Sequence, residues 1–333
     1  NNSMKINQIH GKQLSYNNYN DIFSALTISK SLPKNIGTVI VKHANPCGVS
    51  ENLDINLAWE NALQTDPISA FGGIVAINRE LKADLAEKMK SLFLEVIIAP
   101  TVTNEALQIF ADKPNVRILK TGKIPNPMDN GFSMKSISGG MLVQTRDNHI
   151  LKKEDLKVVT KKSPNEDQIN DLLFAWKVAK HTKSNAIIYA KNLQTAGIGA
   201  GQMSRIDSTN IANEKAKKSA TIANLNEPLT IGSVVASDAF FPFPDCVEIA
   251  NNKIEAIRNR VDDLKQAAEE WLTSSDTGQQ EIMLGYLEAF GWNEFKPAVA
   301  SLFRTFNAKP VTRASALKLL FHWEPEHIAP YLK

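Results

Sequence analysis

The sequence has little cysteine. Cys47 and Cys246 are the two cysteines among its 333 residues, and they lie far apart along the chain. Two isolated thiols do not form the disulfide framework that is typical of small secreted proteins. They fit a reducing compartment better, so the sequence predicts a cytoplasmic protein.

Long apolar runs and a surplus of one charge are also missing. No segment approaches the roughly 20 apolar residues that span a membrane, and the polar residues 1–13 lack the apolar core of a signal sequence. The 38 basic and 35 acidic residues leave a net charge of +3, which provides no overall field for nucleic acid. We therefore expect neither a membrane nor a nucleic-acid partner, while a local basic pocket for an anion stays open.

The motif of a zinc deaminase is incomplete. The Pro46-Cys47 pair is typical of these enzymes, but their signature requires a second cysteine three residues after the first. Ser50 stands at that position. We therefore expect no catalytic zinc. The Gly-x-Ser-x-Gly elbow of serine hydrolases is absent too.

What the sequence does contain is an alternation of short apolar runs and helical patterns. The runs at 38–41, 74–77 and 95–99 predict buried strands, and the segments 54–63 and 79–92 between them predict helices. Such alternation is typical of an α/β fold, a sheet covered by helices.

Composition divides the chain further. Residues 120–130 are rich in Gly, Pro and Asn, and 152–162 are charged, which favours a boundary nearby. Towards the end, helical stripes replace the strand patterns, and no internal repeat is evident in the sequence. We predict a first domain over 1–160, a second over 161–257 and an all-helical tail over 258–333.

The densest set of reactive side chains follows the first predicted strand, in the run Lys42-His43-Ala44-Asn45-Pro46-Cys47-Gly48. Ligands of α/β sheets bind beyond the carboxyl ends of strands. Histidine accepts a proton near neutral pH, and lysine stabilises a developing oxyanion. A solvated Lys-His turn without a catalytic role is the commoner alternative.

A second cluster is Asp66-Pro67-Ile68-Ser69-Ala70-Phe71-Gly72-Gly73. Its glycines allow the backbone to approach a ligand closely. Asp66 is either a carboxylate partner in a site or the cap of a turn, and the cap is the simpler interpretation.

Two later clusters complete the set. The segment 180–185 precedes a Gly-rich run that ends in Gln202, Ser204 and Arg205. That run lacks the dinucleotide-binding spacing, and it suits either an anion cradle or a tight turn with a surface arginine. Residues 237–245 combine three phenylalanines, two prolines and two of the chain's aspartates, which favours stacking on a flat heterocycle or filling of the core.

These four clusters, in this order, resemble the transformylase domain of the bifunctional purine biosynthesis family. The resemblance covers residues 5–257 and includes the stretches 11–18, 95–100 and 139–144. It implies two cytidine-deaminase-like subdomains, layered as α/β/α and without zinc. It also implies a homodimer with active sites at the interface.

The resemblance implies the reaction as well. A formyl group passes from 10-formyltetrahydrofolate, a reduced folate, to the amine of aminoimidazole carboxamide ribotide (AICAR), giving formyl-AICAR on the route to IMP. By similarity His43 takes the amine proton, Lys42 stabilises the formyl oxygen and Asn185 bonds to the reacting group. The implied substrate-binding residues are Asn45, Asp66, Gly72, Gln202, Arg205, Asp238, Phe241 and Asp245. A potassium ion near Thr182, Ser184 and Asp238 is implied more weakly.

The sequence also departs from the family. The cyclohydrolase domain and an Arg-Tyr-Gly segment that precede this region are not in it, nor are the family's closing Pro-Gly-Gly and Arg-His-Phe segments. Pro244 stands where an arginine is expected. We therefore keep an alternative hypothesis, a catalytically impaired remnant or fusion of such an enzyme. It would act as a module that binds nucleotides or that binds a protein partner through the helical tail. An unrelated deaminase-fold enzyme is a third hypothesis, which bound zinc would favour. Two questions stay open: whether another chain supplies the cyclohydrolase, and whether formate rather than the folate donates the formyl group.

Overall fold

The structure is a computed structural model that describes residues 6–124, 126, 129–159, 162–238, 295–304 and 310–323, with six further positions between 272 and 287. The chain forms two compact units, Asn1–Asn252 and Lys253–Lys333. In the described part of the chain, no helix has the length and apolar character that crossing a membrane requires.

Eleven strands are described, all in the first unit. They are β1 (Asn7–His10), β2 (Gly37–Lys42), β3 (Asn45–Glu51), β4 (Gly73–Ile77), β5 (Leu94–Ala99), β6 (Arg117–Lys120), β7 (Phe132–Ile137), β8 (Gly140–Thr145), β9 (Ile187–Lys191), β10 (Gln194–Gly199) and β11 (Val234–Ser237). Nine of them form one sheet in the order β1-β6-β5-β4-β2-β3-β10-β9-β11, and β7 pairs with β8 as a separate hairpin. The β4-β5 and β5-β6 pairs are parallel, and the other neighbours are antiparallel.

Helices cover both faces of the sheet. They are α1 (Tyr16–Ser29), α2 (Ile55–Thr65), α3 (Pro67–Ala70), α4 (Ala83–Lys90), α5 (Asn104–Ile109), α6 (Glu166–Ala179) and α7 (Arg205–Ile222), with a short 3-10 turn at Lys153–Asp155. The longer helices begin at side-chain caps: Ser15 and Asn165 each form a reciprocal capping box with the residue three positions later.

The core has two main clusters, one on each face. Val39 and Val41 of β2 pack with α1 and α6, whereas Ile40 between them packs with α2 and α4. This separation follows from the strand's pleat, which directs alternate side chains to opposite faces. Trp59 of α2 and Phe174 of α6 are among the largest fully buried side chains. The layered α/β fold predicted from the sequence is therefore confirmed.

The first unit contains a structural repeat. The order helix, hairpin, helix occurs as α1-β2-β3-α2 and again as α6-β9-β10-α7. Within the sheet, the strands β4-β2-β3 of the first half lie beside the strands β10-β9-β11 of the second half, which follow in the reverse order. The two halves join where β3 pairs with β10. No repeat is evident in the sequence, yet the structure has one. Because the two halves share a sheet, the predicted boundary near residue 160 stays a prediction, as does the one near 257.

Glycines let helices lie directly on strands in both halves. A Cβ atom at Gly48 of β3 would lie 1.8 Å from the carbonyl oxygen of Ala62 in α2, and one at Gly197, its counterpart in β10, would lie 2.7 Å from that of Ala212 in α7. No side chain fits at such a distance. The repeat therefore depends on glycine at corresponding places.

The second unit is helical wherever it is described. Its longer elements are α8 (Lys296–Arg304) and α9 (Pro310–Trp323). Leu272, Leu287, Val299 and Leu319 belong to a separate buried cluster. These observations agree with the predicted helical tail.

Candidate active site

The turn between β2 and β3 holds His43 in a constrained conformation. His43 and Ala44 have φ angles of 52° and 59°, a left-handed region that residues other than glycine seldom adopt. The carboxylate of Asp21 in α1 accepts hydrogen bonds from both backbone N–H groups, at 3.2 Å and 2.7 Å. The hydroxyl of Ser24 donates to the Ala44 carbonyl at 3.0 Å. The turn is thereby fixed from α1, with the His43 side chain exposed.

Lys42 joins this turn to the second cluster. Its ammonium donates to the carbonyl of Phe71 at 2.6 Å, and Gly72 follows with φ of 72°. The N–H of Gly72 donates to the carbonyl of Phe93 at 2.8 Å. The Phe71 and Phe93 rings pack with their centroids 5.2 Å apart. The first two sequence clusters therefore meet at one end of the sheet.

Asn45 brings the third cluster to the same place. Its side-chain oxygen accepts the backbone N–H of Lys183 at 3.2 Å. The carbonyl of Lys183 accepts the N–H of Gly201 at 2.9 Å, and the N–H of Asn185 donates to the carbonyl of Gln202 at 3.0 Å. Segments from both halves of the repeat are thus linked around the His43 turn.

Asn185, Arg205 and Asp238 form a connected polar network. The guanidinium of Arg205 donates to the side-chain oxygen of Asn185 at 2.7 Å and to Asp238 at 2.8 Å. The Asn185 amide nitrogen donates to the carbonyls of Gln202 and Met203. The backbone N–H of Ala186 also donates to Asp238, at 3.0 Å. All three side chains are therefore held in place without a ligand.

The Asp238 carboxylate is stabilised as an anion. Partial burial alone raises its pKa, but hydrogen bonds from Ser184, Arg205 and Ala186, with the charge of Arg205, outweigh burial and bring the pKa below its usual value. The negative charge of Asp238 therefore balances the positive charge of Arg205, and this ion pair holds the guanidinium in place to bond with Asn185.

Asp66 is a cap and an ion-pair partner. Its carboxylate accepts the N–H of Ser69 at the start of α3 and lies 2.6 Å from the ammonium of Lys215 in α7. The cap interpretation is confirmed, and a substrate contact by Asp66 stays a prediction. Nearby Cys47 is buried, and burial together with the Asp66 charge raises the pKa of its thiol to about 12. At neutral pH Cys47 is therefore a protonated thiol rather than a nucleophile.

The three residues predicted to lie near a potassium ion have known hydrogen-bond partners in the structure. Ser184 and Asp238 are hydrogen-bonded to each other, whereas the hydroxyl of Thr182 donates to the carbonyl of Val178 in α6 at 2.9 Å. Among the described residues, no group of three or more His, Cys, Asp or Glu side chains is placed to hold a metal ion. The potassium ion stays a prediction, and we derive no step from it. Phe241 and Asp245 lie outside the described residues.

Sequence reasoning missed Asp21, although a signal for it exists. Asn20-Asp21 and Asn170-Asp171 are matching pairs, and each aspartate is followed 14 positions later by an asparagine, Asn35 or Asn185. In the second half Asp171 accepts the N–H groups of Asn192 and Leu193, at 3.0 Å and 2.7 Å. These two residues also have left-handed φ angles, 54° and 57°. The second turn repeats the scaffold of the first without its histidine.

Comparisons with known proteins agree on one family. The sequence profile of the AICARFT/IMPCHase bienzyme matches residues 1–215. The bifunctional purine biosynthesis protein PurH of Mesorhizobium japonicum is 54% identical over 240 residues, which are 72% of this chain and 45% of that protein. The PurH proteins of Agrobacterium fabrum and a Chelativorans species are also 54% identical, over 239 and 240 residues. The chain spans less than half the length of these relatives, 44–45%.

Proposed function

The chain belongs to the AICARFT/IMPCHase bienzyme family, and we propose that it transfers a formyl group from 10-formyltetrahydrofolate to the amine of AICAR. One observation carries the proposal for this chain. The turn that bears Lys42 and His43 is linked through Asn45 to the segment that bears Asn185. The proposed base, cation and amide therefore belong to segments that are linked at one end of the sheet, which supports the proposal.

The reaction needs a base because its nucleophile is poor. The AICAR amine is attached to an aromatic ring and conjugated with a carboxamide. As its nitrogen attacks the formyl carbon, the amine must lose a proton. We assign that proton to the imidazole of His43, which is exposed at the turn. The new carbon–nitrogen bond forms as the bond to N10 of the folate breaks, and N10 leaves with a proton as tetrahydrofolate.

Lys42 is suited to the developing negative charge on the formyl oxygen. An ammonium group has three donors, and in this structure one is directed at the Phe71 carbonyl. The other two are available to a ligand without loss of the contact that orients the side chain. We propose that they stabilise the formyl oxygen as the carbon becomes tetrahedral.

Asn185 is suited to orient the amine. Its amide nitrogen is committed to two backbone carbonyls, and Arg205 occupies one acceptor position of its oxygen. An amide oxygen accepts two hydrogen bonds, so one position remains for an N–H of the AICAR amine. Arg205 and Asp238 are then positioning residues in this proposal. Gln202 and Gly72 contribute backbone near the ligand.

A homodimer is part of the proposal. The hairpin of β7 and β8 is exposed along its whole length and carries the exposed apolar side chains Phe132, Met134, Ile137, Met141, Leu142 and Val143. The register places Phe132, Met134, Met141 and Val143 on one face of the hairpin, and an apolar surface of this kind favours burial against a partner, here a second copy of the chain. The alternative of a non-catalytic fusion depends on the tail, most of which lies outside the described residues.

Release of tetrahydrofolate, followed spectrophotometrically with AICAR and 10-formyltetrahydrofolate, tests the proposal. We expect turnover by the chain and a loss of about 10²- to 10⁴-fold in His43→Ala, the usual contribution of a general base. Asn192→Ala is the matched control, because it places alanine at the corresponding left-handed position of the second turn. Equal activity of the two variants would contradict the assignment of His43.

A further inference from the structure

A cationic cavity lies in the first unit, apart from the residues assigned to formyl transfer. Its volume is about 260 Å³, and it lies between α1, α6 and the segment that follows β8. Lys30, Lys177, Lys180 and Arg146 line it, and Asp147 is the one acidic side chain among the described lining residues. Lys42, His43, Asn185 and Arg205 do not contribute to it.

The cavity lies where the two halves of the repeat meet. Lys30 and Lys180 are the residues that end α1 and α6, and each stands nine positions after its turn-capping aspartate, Asp21 or Asp171. The next residues, Ser31 and His181, are joined side chain to side chain at 2.8 Å. The repeat therefore brings two equivalent lysines to one cavity.

Some of these cations have protein partners. Lys177 lies 3.2 Å from the buried carboxylate of Glu51. Lys180 lies 3.1 Å from Asp147 and donates to the carbonyl of His149 at 2.6 Å. These bonds hold the walls of the cavity in place. They also pair Asp147, the acidic residue of the described lining, with Lys180.

Lys30 and Arg146 are different. Neither side chain makes a hydrogen bond or ion pair with another described residue. Burial, then the charge of Arg146, lowers the pKa of Lys30, and the charge of Asp129 only partly offsets this. Burial and the charges of Lys180 and Lys30 also lower the pKa of His181, to about 4, so its ring is neutral near pH 7. The described part of the cavity therefore has positive charge without a matching anion.

The lining also offers apolar surface. Phe23 is 70% exposed and Trp176 is 38% exposed, and both line the cavity. Its volume is below the roughly 300–1,000 Å³ of pockets that enclose drug-sized ligands, so it suits a small molecule. Arginine and lysine together are typical of phosphate recognition. We propose that this cavity binds a small phosphomonoester, with Lys30 and Arg146 contacting the phosphate and Trp176 beside the organic part.

Calorimetric titration of the full chain tests the proposal. The probes are ribose 5-phosphate, inorganic phosphate and uncharged ribose, at constant ionic strength. We expect saturable binding of ribose 5-phosphate, weaker binding of inorganic phosphate and none of ribose. Affinity for ribose 5-phosphate should fall at least tenfold in Lys30→Gln. Because the Lys30 side chain makes no hydrogen bond or ion pair with another described residue, the variant should keep its fold, which circular dichroism checks. Total tryptophan emission gives a second readout of binding, since Trp176 is one of the five tryptophans of the chain.

Lys34→Gln is the matched control, since Lys34 is exposed, lies four positions further on and does not line the cavity. Its affinity should stay within twofold of the wild type. Arg205→Gln separates the cavity from the proposed catalytic site. Loss of binding in Arg205→Gln but not in Lys30→Gln would place the probe in that other site and overturn the proposal. No saturable binding, or equal affinities for the two phosphates, would overturn it too.

Discussion

Asp21 should position His43, the proposed general base, without touching substrate. In Asp21→Asn the side chain keeps its shape, but one of its two acceptor oxygens becomes an NH2 group. Either His43 or Ala44 then loses its partner, and a donor faces a donor. The bonds measure 3.2 Å and 2.7 Å, and a hydrogen bond to a charged group contributes about 1.5–3 kcal/mol. We therefore expect the left-handed turn to be destabilised by about 2 kcal/mol.

Part of that loss should appear in catalysis. If the turn leaves its left-handed conformation, His43 is no longer held beside Asn45 and the 183–185 segment. A cost of about 2 kcal/mol sets an upper limit of roughly a 30-fold decrease in kcat, since about 1.4 kcal/mol is tenfold in rate. KM for AICAR should change much less, because Arg205, Asp238 and Asn185 keep their own network.

The second half of the repeat supplies the control. Asp171→Asn removes the equivalent bonds to Asn192 and Leu193, at 3.0 Å and 2.7 Å. Urea denaturation should show similar losses of unfolding free energy for both variants, whereas kcat should fall only in Asp21→Asn. If both variants lower kcat equally at the same folded fraction, Asp21 acts through stability alone and the positioning argument is refuted.

Two further predictions concern stability. His181 has a folded pKa of about 4 against an ordinary 6.5, so the unfolded state binds more protons between these values and stability should rise with pH across that window, by about 3 kcal/mol in all. His181→Gln should flatten this part of a urea-denaturation profile, and an unchanged slope would contradict the burial of the ring. Gly48→Ala should cost more than about 3 kcal/mol, or prevent folding, because its methyl group would lie 1.8 Å from the Ala62 carbonyl oxygen. Gly140→Ala, with nothing within 4 Å, should change the melting temperature by little, and similar effects of the two would refute the close-approach argument.

The buried strands were predictable because their side chains are apolar on both faces. The runs at 38–41, 74–77 and 95–99 lie within or across β2, β4 and β5. Strands β3 and β10 were not predicted, since Asn45, Gly48, Gly197 and Gly199 have the composition of loops. Their glycines are there because α2 and α7 approach the strand backbone. That requirement arises from tertiary packing and leaves no periodic pattern in the sequence.

Part of the candidate site was predictable because the composition of its segments is visible in the sequence. Lys42, His43, Asn185 and Arg205 stand in segments of unusual composition, and the structure brings those segments together. Asp21 lies in an ordinary amphipathic helix, 22 positions before His43, and only the pairing of α1 with the hairpin gives it a role. The cationic cavity has the same origin, since Lys30 and Lys180 become neighbours only through the repeat.

Direct observation of the transferred carbon tests the central claim most sharply. The chain is incubated with AICAR and 10-formyltetrahydrofolate that carries ¹³C in its formyl group, and the product is followed by NMR. We predict a labelled formyl carbon bonded to the AICAR amine with the wild type and with Asn192→Ala, and almost none with His43→Ala. Absence of labelled product from correctly folded wild-type chain, or equal labelling by His43→Ala, would contradict the account.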